Sequence, residues 1–354
     1  MCFWRTLPPS GAKLAGERAC CVEMTYSYRG DENDIARRFE MAFELKVCVE
    51  RLKPWIIRTP LVEIESLSEM TGRSVYLKLE GLQRSGSFKF RGAMNYMLTL
   101  DEAEARRGVI TASSGNHGLG MSLSGKLRGI RCIVVMPTSA PLAKQDKAKL
   151  YGAELVLHGT CYDDAQEYAL ELASRAGYTY VPSFNHAAII EGQGTILDEI
   201  LMDLPQADTV FVPVGGGGML AGLLLAKAQL GSGLEVVGVE PWGAAGMTAS
   251  LQAGRLTTTK DMQTIADGVA VRTPGDLNFE IAQRYRPKMW CVSDEQISEA
   301  QKIVLREAKM LIETAGAVPI AGLLSRHLPD RAKHVVCVVS GANVDPSTLR
   351  ELCQ

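Results

Sequence analysis

From about residue 75 onward, short β-rich runs alternate with helical patterns. The strand-like runs are 74–80 (SVYLKLE), 108–113 (GVITAS), 131–137 (RCIVVMP), 153–159 (AELVLHG), 178–182 (YTYVP), 208–214 (DTVFVPV), 234–240 (LEVVGVE), 288–294 (KMWCVSD) and 333–340 (KHVVCVVS). Several are apolar throughout instead of alternating, as expected for strands covered on both faces. Helical stretches lie between them, such as 163–177 (DDAQEYALELASRAG) and 294–313 (DEQISEAQKIVLREAKMLIE). In the second, Ile297, Ile303, Val304, Met310 and Leu311 form a rough stripe that predicts a helix. Strands alternating with helices predict right-handed βαβ units and a mostly parallel sheet. There is no fixed-period repeat and no low-complexity linker, so a second domain would be inserted between β/α units.

The first forty residues break this pattern. They mix Pro, Gly, Cys and charge with little periodicity and lack the apolar core of a signal peptide. Early acids (Glu17, Glu23, Asp31) argue against an organellar leader, and Met24 and Met41 are candidate alternative starts. Residues 1–40 are expected to form a poorly ordered extension.

Composition narrows the function classes. The chain has 354 residues, 46% hydrophobic and 22% charged, with 34 Gly, 15 Pro and a net charge of −2. That is ordinary globular usage and excludes fibrous or disordered readings. Near-neutral charge offers no basic face for nucleic acid, and no apolar run is long enough to span a membrane. Nine cysteines at irregular spacing make neither a disulfide framework nor a zinc site. Cys132 and Cys337 sit inside apolar runs and read as small buried hydrophobes. A reducing cytoplasm is the expected compartment.

Two strand-to-helix junctions are unusual. In ITASSGNHGLG (110–120), Ser113, Ser114, Gly115, Asn116 and His117 lead into a helix whose open N–H groups suit a carboxylate or phosphate. The bland alternative is that Ser114 caps the helix and Gly115 makes the turn. In VFVPVGGGGMLAGL (210–223), Gly215, Gly216, Gly217 and Gly218 follow an apolar strand and open a helix. Close packing of backbone N–H groups around a phosphate explains four glycines better than a tight turn does. A competing reading is dinucleotide binding, since Gly216, Gly218 and Ala221 fit G-x-G-x-x-A and Glu240 falls where a ribose-binding acid would sit. That would make the protein an NAD-dependent dehydrogenase. A kinase-type loop at Gly81–Gly86 is excluded, because Ser87-Phe88 stands where Lys-Ser/Thr is needed.

A third feature is QRSGSFKFRGAMNYM (83–97). Lys89, beside Arg91 and flanked by Phe88 and Phe90, is expected to have a lowered pKa. That is the condition for a nucleophilic amine that forms Schiff bases. For an arbitrary lysine, a solvated helix position is the ordinary alternative. His158, His186, His327 and His334 read as surface or packing residues.

Taken in order, Ser85-Gly86-Ser87-Phe88-Lys89-Phe90-Arg91-Gly92, Ser113-Ser114-Gly115-Asn116-His117-Gly118, Gly215–Gly218 and Ser340-Gly341-Ala342-Asn343-Val344-Asp345 resemble the threonine/serine dehydratase and serine racemase family. These are pyridoxal-phosphate enzymes of the tryptophan synthase β fold, and the resemblance runs from about Arg51 to about Pro346. It implies a two-domain α/β fold with mostly parallel sheets flanked by helices. The large cofactor-binding domain would be 41–103 and 185–354, with a small mobile domain, 104–184, inserted in it.

The same resemblance implies roles. Lys89 would hold pyridoxal 5'-phosphate as a Schiff base and then take the substrate's Cα proton. Phe88 would pack on the cofactor ring, Asn116 would face its hydroxyl, and Gly268 would lie near that edge. Gly215–Gly218 would wrap the phosphate, and Ser340 would meet the ring nitrogen. Ser113, Ser114, Asn116 and His117 would bind the substrate carboxylate, and Ser114 is the second catalytic candidate. The implied reaction is dehydration of L-threonine or L-serine to a 2-oxo acid and ammonia. The alternatives are serine racemisation and dehydration of a bulkier substrate such as phenylserine. A homodimer is expected.

The chain departs from the family in places. Racemase-type members carry a carboxylate-binding arginine in the small domain, and Ala165 stands nearest to it by position. The family's divalent metal needs a second acid where Gly246 stands, so no metal is expected; Glu240 is the one candidate ligand, and the alternative is that it simply caps its strand. Trp242 and Gly243 replace polar residues and hint at a bulkier substrate. Only nine residues follow Asp345, so a C-terminal regulatory module is not expected.

Overall fold

A computed structural model describes residues 39–345, apart from 41, 261, 326, 327, 329 and 330, together with residue 349. In chain order the strands are β1 (Leu61–Glu63), β2 (Ser74–Leu79), β3 (Val109–Ala112), β4 (Cys132–Met136), β5 (Glu154–Leu157), β6 (Thr179–Tyr180), β7 (Thr209–Pro213), β8 (Glu235–Pro241), β9 (Lys288–Val292) and β10 (His334–Val339). They form two sheets, ordered β1-β2-β10-β7-β8-β9 and β5-β4-β3-β6. Every neighbouring pair is parallel except β1 with β2. The four strands of the smaller sheet are consecutive in sequence. The chain therefore leaves the larger sheet after β2 and re-enters it at β7.

Each strand-like run coincides with one of β2–β10, with β8 extending one residue past its run to Pro241. Their burial explains why the runs are legible: β4 and β7 are buried at every position. Alternate residues of β10 supply two different cores, Val336 and Val338 on one face and Val335, Cys337 and Val339 on the other. A strand covered by helices on both sides must be apolar at both parities. The smaller sheet repeats the arrangement, with Val109 and Val134 on one face and Ile110 and Val135 on the other. β1 was not anticipated. It is a three-residue antiparallel edge strand, too short to carry a period.

Two expectations change. Phe39 and Glu40, expected within the extension over 1–40, belong to the fold, and Phe39 packs edge-on against Phe43 in the core. The Glu40 carboxylate also meets Arg284 at 2.7 Å and accepts from the Tyr285 hydroxyl. Residues 1–38 lie outside the described residues, as do Met24, Met41, Cys2, Cys20, Cys21 and Cys353. The 294–313 helix stops at Ile303, passes through a π-helical turn at Val304–Ala308, and breaks at Lys309, whose φ is 57°. The stripe therefore holds for Ile297, Ile303 and Val304, while Leu311 is partly exposed. The break turns the chain so that Glu313 faces the cleft described below. Cys132 and Cys337 are buried free thiols, and burial pushes the Cys132 thiol up to about 12.

Candidate active site

The site is stitched together from segments far apart in sequence. The chain before Lys89 makes a left-handed step at Ser85 (φ 63°) and Gly86 (φ 81°). It then runs beside the end of β10. Phe88 N–H donates to the Ser340 carbonyl (3.0 Å), Ser87 bridges Gly341, and Ala342 N–H donates to the Gly86 carbonyl (3.0 Å). The lysine motif and the Ser340–Asp345 motif are thus one structural unit. Ser340 itself is buried at the carboxyl end of a central strand. That is where open α/β sheets place ligands.

Lys89 opens the helix Lys89–Thr99. Its Nζ donates to the Ser183 carbonyl at 3.0 Å and lies 5.3 Å from the Phe88 ring and 5.9 Å from the Phe184 ring. Loss of water pushes the amine down to about 8, against the opposing pull of the Glu313 carboxylate. The lowered pKa was expected, but its origin differs. Phe90 points into a separate cluster with Cys48, Leu52 and Met94, and its place beside the amine is taken by Phe184.

Arg91 also faces away from Lys89. Its guanidinium is fully buried and donates to both oxygens of Glu80 (2.8 Å each) and to both of Glu199 (2.7 and 2.8 Å). Lys78 Nζ adds a contact to Glu199 at 2.6 Å. Burial alone would raise the Glu199 carboxyl, but Arg91 and Lys78 hold it below its usual range. This network ties β2, the lysine helix and the helix Ala187–Asp203 together. It anchors the helix that carries Lys89.

The glycine loop follows β7 and leads into the helix Gly218–Gln229. Gly217 has φ 90°, which disfavours any side chain. A Cβ placed on Gly216 would lie 2.4 Å from the Phe184 ring. These glycines are therefore required by the protein's own packing, a reason beyond backbone approach to a phosphate. The helix has no side-chain cap and no acid in its first turn, which leaves its N–H groups for an anion. The Gly216 carbonyl accepts from Gly275 N–H (3.0 Å) and Asn278 Nδ2 (2.7 Å). Peptide planarity then points the Gly217 N–H the opposite way.

The Ser113–His117 junction behaves differently from its bland alternative. The cap position of the helix Asn116–Arg128 is Gly115, with no side-chain cap. Ser113 Oγ instead accepts from Gly115 N–H at 3.2 Å, and Ser114 is partly exposed. Gly120, one turn on, packs against the backbone of Lys89 and Phe90, which lets the two helices approach. Asn116 Nδ2 donates to Glu313 Oε1 (2.7 Å) while its Oδ1 accepts from Asn343 Nδ2 (2.7 Å). His117 is buried with Nε2 3.4 Å from the Val181 carbonyl. Burial, with Lys89 nearby, pushes its imidazole down to about 3, so it is neutral.

Gly268 lies in the turn Asp267–Val269, beside Ala315 and Glu313, and Val269 packs on Gly215. The structure therefore brings Lys89, Phe88, Ser113–His117, Gly215–Gly218, Gly268 and Ser340 around one cleft. Glu240 does not join them. Its buried carboxylate accepts from Met247 N–H and Thr248 N–H (2.8 Å each) and from the Thr248 hydroxyl (2.5 Å). It caps the start of the helix Gly246–Ala253 and not the end of its own strand. With its oxygens occupied it is also unsuited to a ribose, which removes the dehydrogenase reading.

Glu313, Asn343, Phe184, Ser183 and Lys147 were not singled out from sequence as site residues. Asn343 stood inside a quoted motif. Glu313 carried no local signal.

The chain is similar to known proteins in sequence and in fold. The family described as "Pyridoxal-phosphate dependent enzyme" matches residues 52–341. An L-threonine ammonia-lyase from Thermotoga maritima is 42% identical over 302 residues, covering 85% of this chain and 75% of that protein. The structure of processed threonine deaminase isoform 2 from Solanum lycopersicum superposes with TM-score 0.84 at 38% identity, covering 92% of this chain and 89% of that one. Maize serine racemase gives TM-score 0.83 at 32% identity, covering 87% and 94%.

Proposed function

The chain belongs to the pyridoxal-phosphate-dependent enzyme family, and from that premise we propose that it is an ammonia-lyase converting L-threonine, and less readily L-serine, to a 2-oxo acid and ammonia. The observation that carries this reading is Lys89, a desolvated amine between Phe88 and Phe184 in the same cleft as the uncapped glycine-loop helix. A neutral-capable amine and an open helix N-terminus are the two anchors that an aldehyde bearing a phosphate requires.

When bound, the cofactor supplies the electron sink for a carbanion at the substrate Cα. The chain's residues would do the rest. Lys89 Nζ would hold the cofactor covalently and, once released, take up the Cα proton. The N–H groups of Gly215–Gly218 would hold the phosphate. Phe88 would pack on the ring, Gly268 would leave room beside it, and Asn116 would face the ring oxygen. Ser340 would bring a hydroxyl, not a carboxylate, to the ring nitrogen. The protein then offers no counter-charge there, which favours loss of the β-hydroxyl over transamination. Ser114, Asn116 and His117 would bind the substrate carboxylate through backbone N–H groups, since the His117 ring is neutral, and Ser113, whose own N–H is taken by the Val135 carbonyl (3.1 Å), would bind it through its hydroxyl.

Ser114 could also deliver a proton to the opposite face, the route to racemisation. Ala165 lies buried among Ile110, Ala112 and Val135, so no cationic side chain stands there to serve that reaction. The bulkier-substrate reading loses its support, because Trp242 is half exposed and Gly243 is held at Gln263 by a 3.1 Å backbone bond. We further propose a large domain of 41–103 and 185–354, a small mobile domain of 104–184, a homodimer, and action in the cytoplasm. Among the described residues, no helix is long and apolar enough to cross a membrane.

Assay of L-threonine, L-serine and phenylserine tests the substrate. L-Threonine is expected to give 2-oxobutanoate and ammonia in equal amounts, with the highest kcat/KM of the three. Faster formation of D-serine than of pyruvate from L-serine would favour the racemase, and no 2-oxo acid from any of them would end the lyase reading.

A second expectation concerns pH. With Lys89 at about 8, its neutral fraction rises from about a tenth at pH 7 to about nine-tenths at pH 9. The rate at which cofactor-free protein captures pyridoxal phosphate, followed by stopped-flow absorbance, should rise about tenfold over that range and level off. An ordinary lysine would instead give a rise of about a hundredfold with no plateau.

A further inference from the structure

Glu313 has no part in the roles above, yet it is built into the cleft. The π-helical turn and the left-handed Lys309 deliver it between Gly268 and Gly341. A Cβ on Gly341 would lie 2.3 Å from its Oε1. Its N–H donates to the Gly341 carbonyl at 3.2 Å. Among the described residues, no lysine or arginine nitrogen lies within 4.0 Å of the carboxylate. Its close side-chain partner is Asn116 Nδ2.

Asn116 is held from both ends. An ionised carboxylate only accepts, so the Asn116 nitrogen must face Glu313. On the other side Asn343 Nδ2 donates to Asn116 Oδ1. Asn343 is itself fixed, because its Nδ2 also donates to the Ser85 carbonyl (2.9 Å) and its Oδ1 accepts from Lys147 Nζ (2.6 Å). The Asn116 amide therefore cannot flip without breaking both bonds. One N–H remains to present to the cleft.

We propose that Glu313 is a positioning residue that, together with Asn343, locks the Asn116 amide so that it offers an N–H donor, never an acceptor, to the cofactor's ring oxygen. This rests on the cofactor reading above. A fixed donor stabilises that oxygen as an anion, so the lock would set the protonation state of the bound cofactor. The lock is also pH-sensitive. Burial pushes Glu313 up to about 7; Asn116 opposes the rise, and Asp267 adds to it. The other charged groups facing it are Lys144, Lys147 and Lys89. Once protonated, Glu313 can donate, and its half of the constraint on Asn116 is released as pH falls through about 7, while Asn343 still holds Oδ1.

The test uses holoenzyme saturated with pyridoxal phosphate. The visible absorbance of the unsubstituted protein is expected to titrate near pH 7. Glu313→Gln should remove that titration and move the band across the whole range, while kcat falls about tenfold and KM changes little. Asn343→Asp, which loses the donor to Asn116 Oδ1, should displace the band in the same way. Glu313→Asp should restore a titration. The proposal is overturned if Glu313→Gln and Asn343→Asp both keep the unsubstituted band and its pH profile. Absence of any band from the unsubstituted protein would overturn the cofactor reading, and the proposal with it.

Discussion

Lys89→Ala is expected to lose about a thousandfold or more in kcat/KM for L-threonine, with no visible cofactor band. The side chain combines two tasks, covalent capture and proton transfer, and no neighbour can take over. Lys147 is committed to Asn343 and Lys144 to Asp267. Lys89 makes one hydrogen bond, to the Ser183 carbonyl, and its buried amine is costly to desolvate. Thermal stability should therefore be unchanged or slightly higher in cofactor-free protein. Steady-state kinetics together with a melting curve check both parts. Substantial activity in the variant would refute the assignment.

Arg91→Met is expected to have the opposite profile, losing about 3–5 kcal/mol of stability in urea unfolding. The loss comes less from the missing bonds than from what is left behind. Glu80 and Glu199 would remain buried, with Glu80 keeping only Thr59 and Glu199 only Lys78 among their described charged or hydroxyl partners. Adding Glu80→Gln should recover part of the loss, because it removes one stranded charge. A change below about 1 kcal/mol would mean that the network is not a single buried unit. Residues two apart in one helix thus divide the work, Lys89 for chemistry and Arg91 for holding the helix.

That division marks the limit of the sequence. Composition placed both cations beside aromatic rings, and adjacency suggested that Arg91 depresses the Lys89 amine. A helix turns about 100° per residue, so positions two apart face different ways. Arg91 points to Glu199, which lies 108 residues away in sequence, and Phe184 supplies the ring that Phe90 was expected to provide. The β2–β10 runs were legible because burial on both faces leaves a continuous apolar string. β1 was not, because three edge residues carry no period.

The glycine loop was recognised, but half of its cause was hidden. Phe184 and Met247 leave no room for a Cβ at Gly216 and Gly217. Glu313 was out of reach entirely. Its partner Asn116 is 197 residues away, and the turn that delivers it is a local departure from the helical period that the apolar stripe implied. The four motifs, by contrast, were visible because each packs its chemistry into a few consecutive residues, three of them directly after a strand and the lysine motif at the start of a helix.

The central claim is that Lys89 carries pyridoxal phosphate. Purified holoenzyme should be treated with borohydride, digested, and its modified peptide sequenced. The account predicts that the visible band bleaches irreversibly and that one pyridoxyl-lysine is recovered, at Lys89. Recovery of the label on any other lysine, or a protein with no band to bleach, would contradict it.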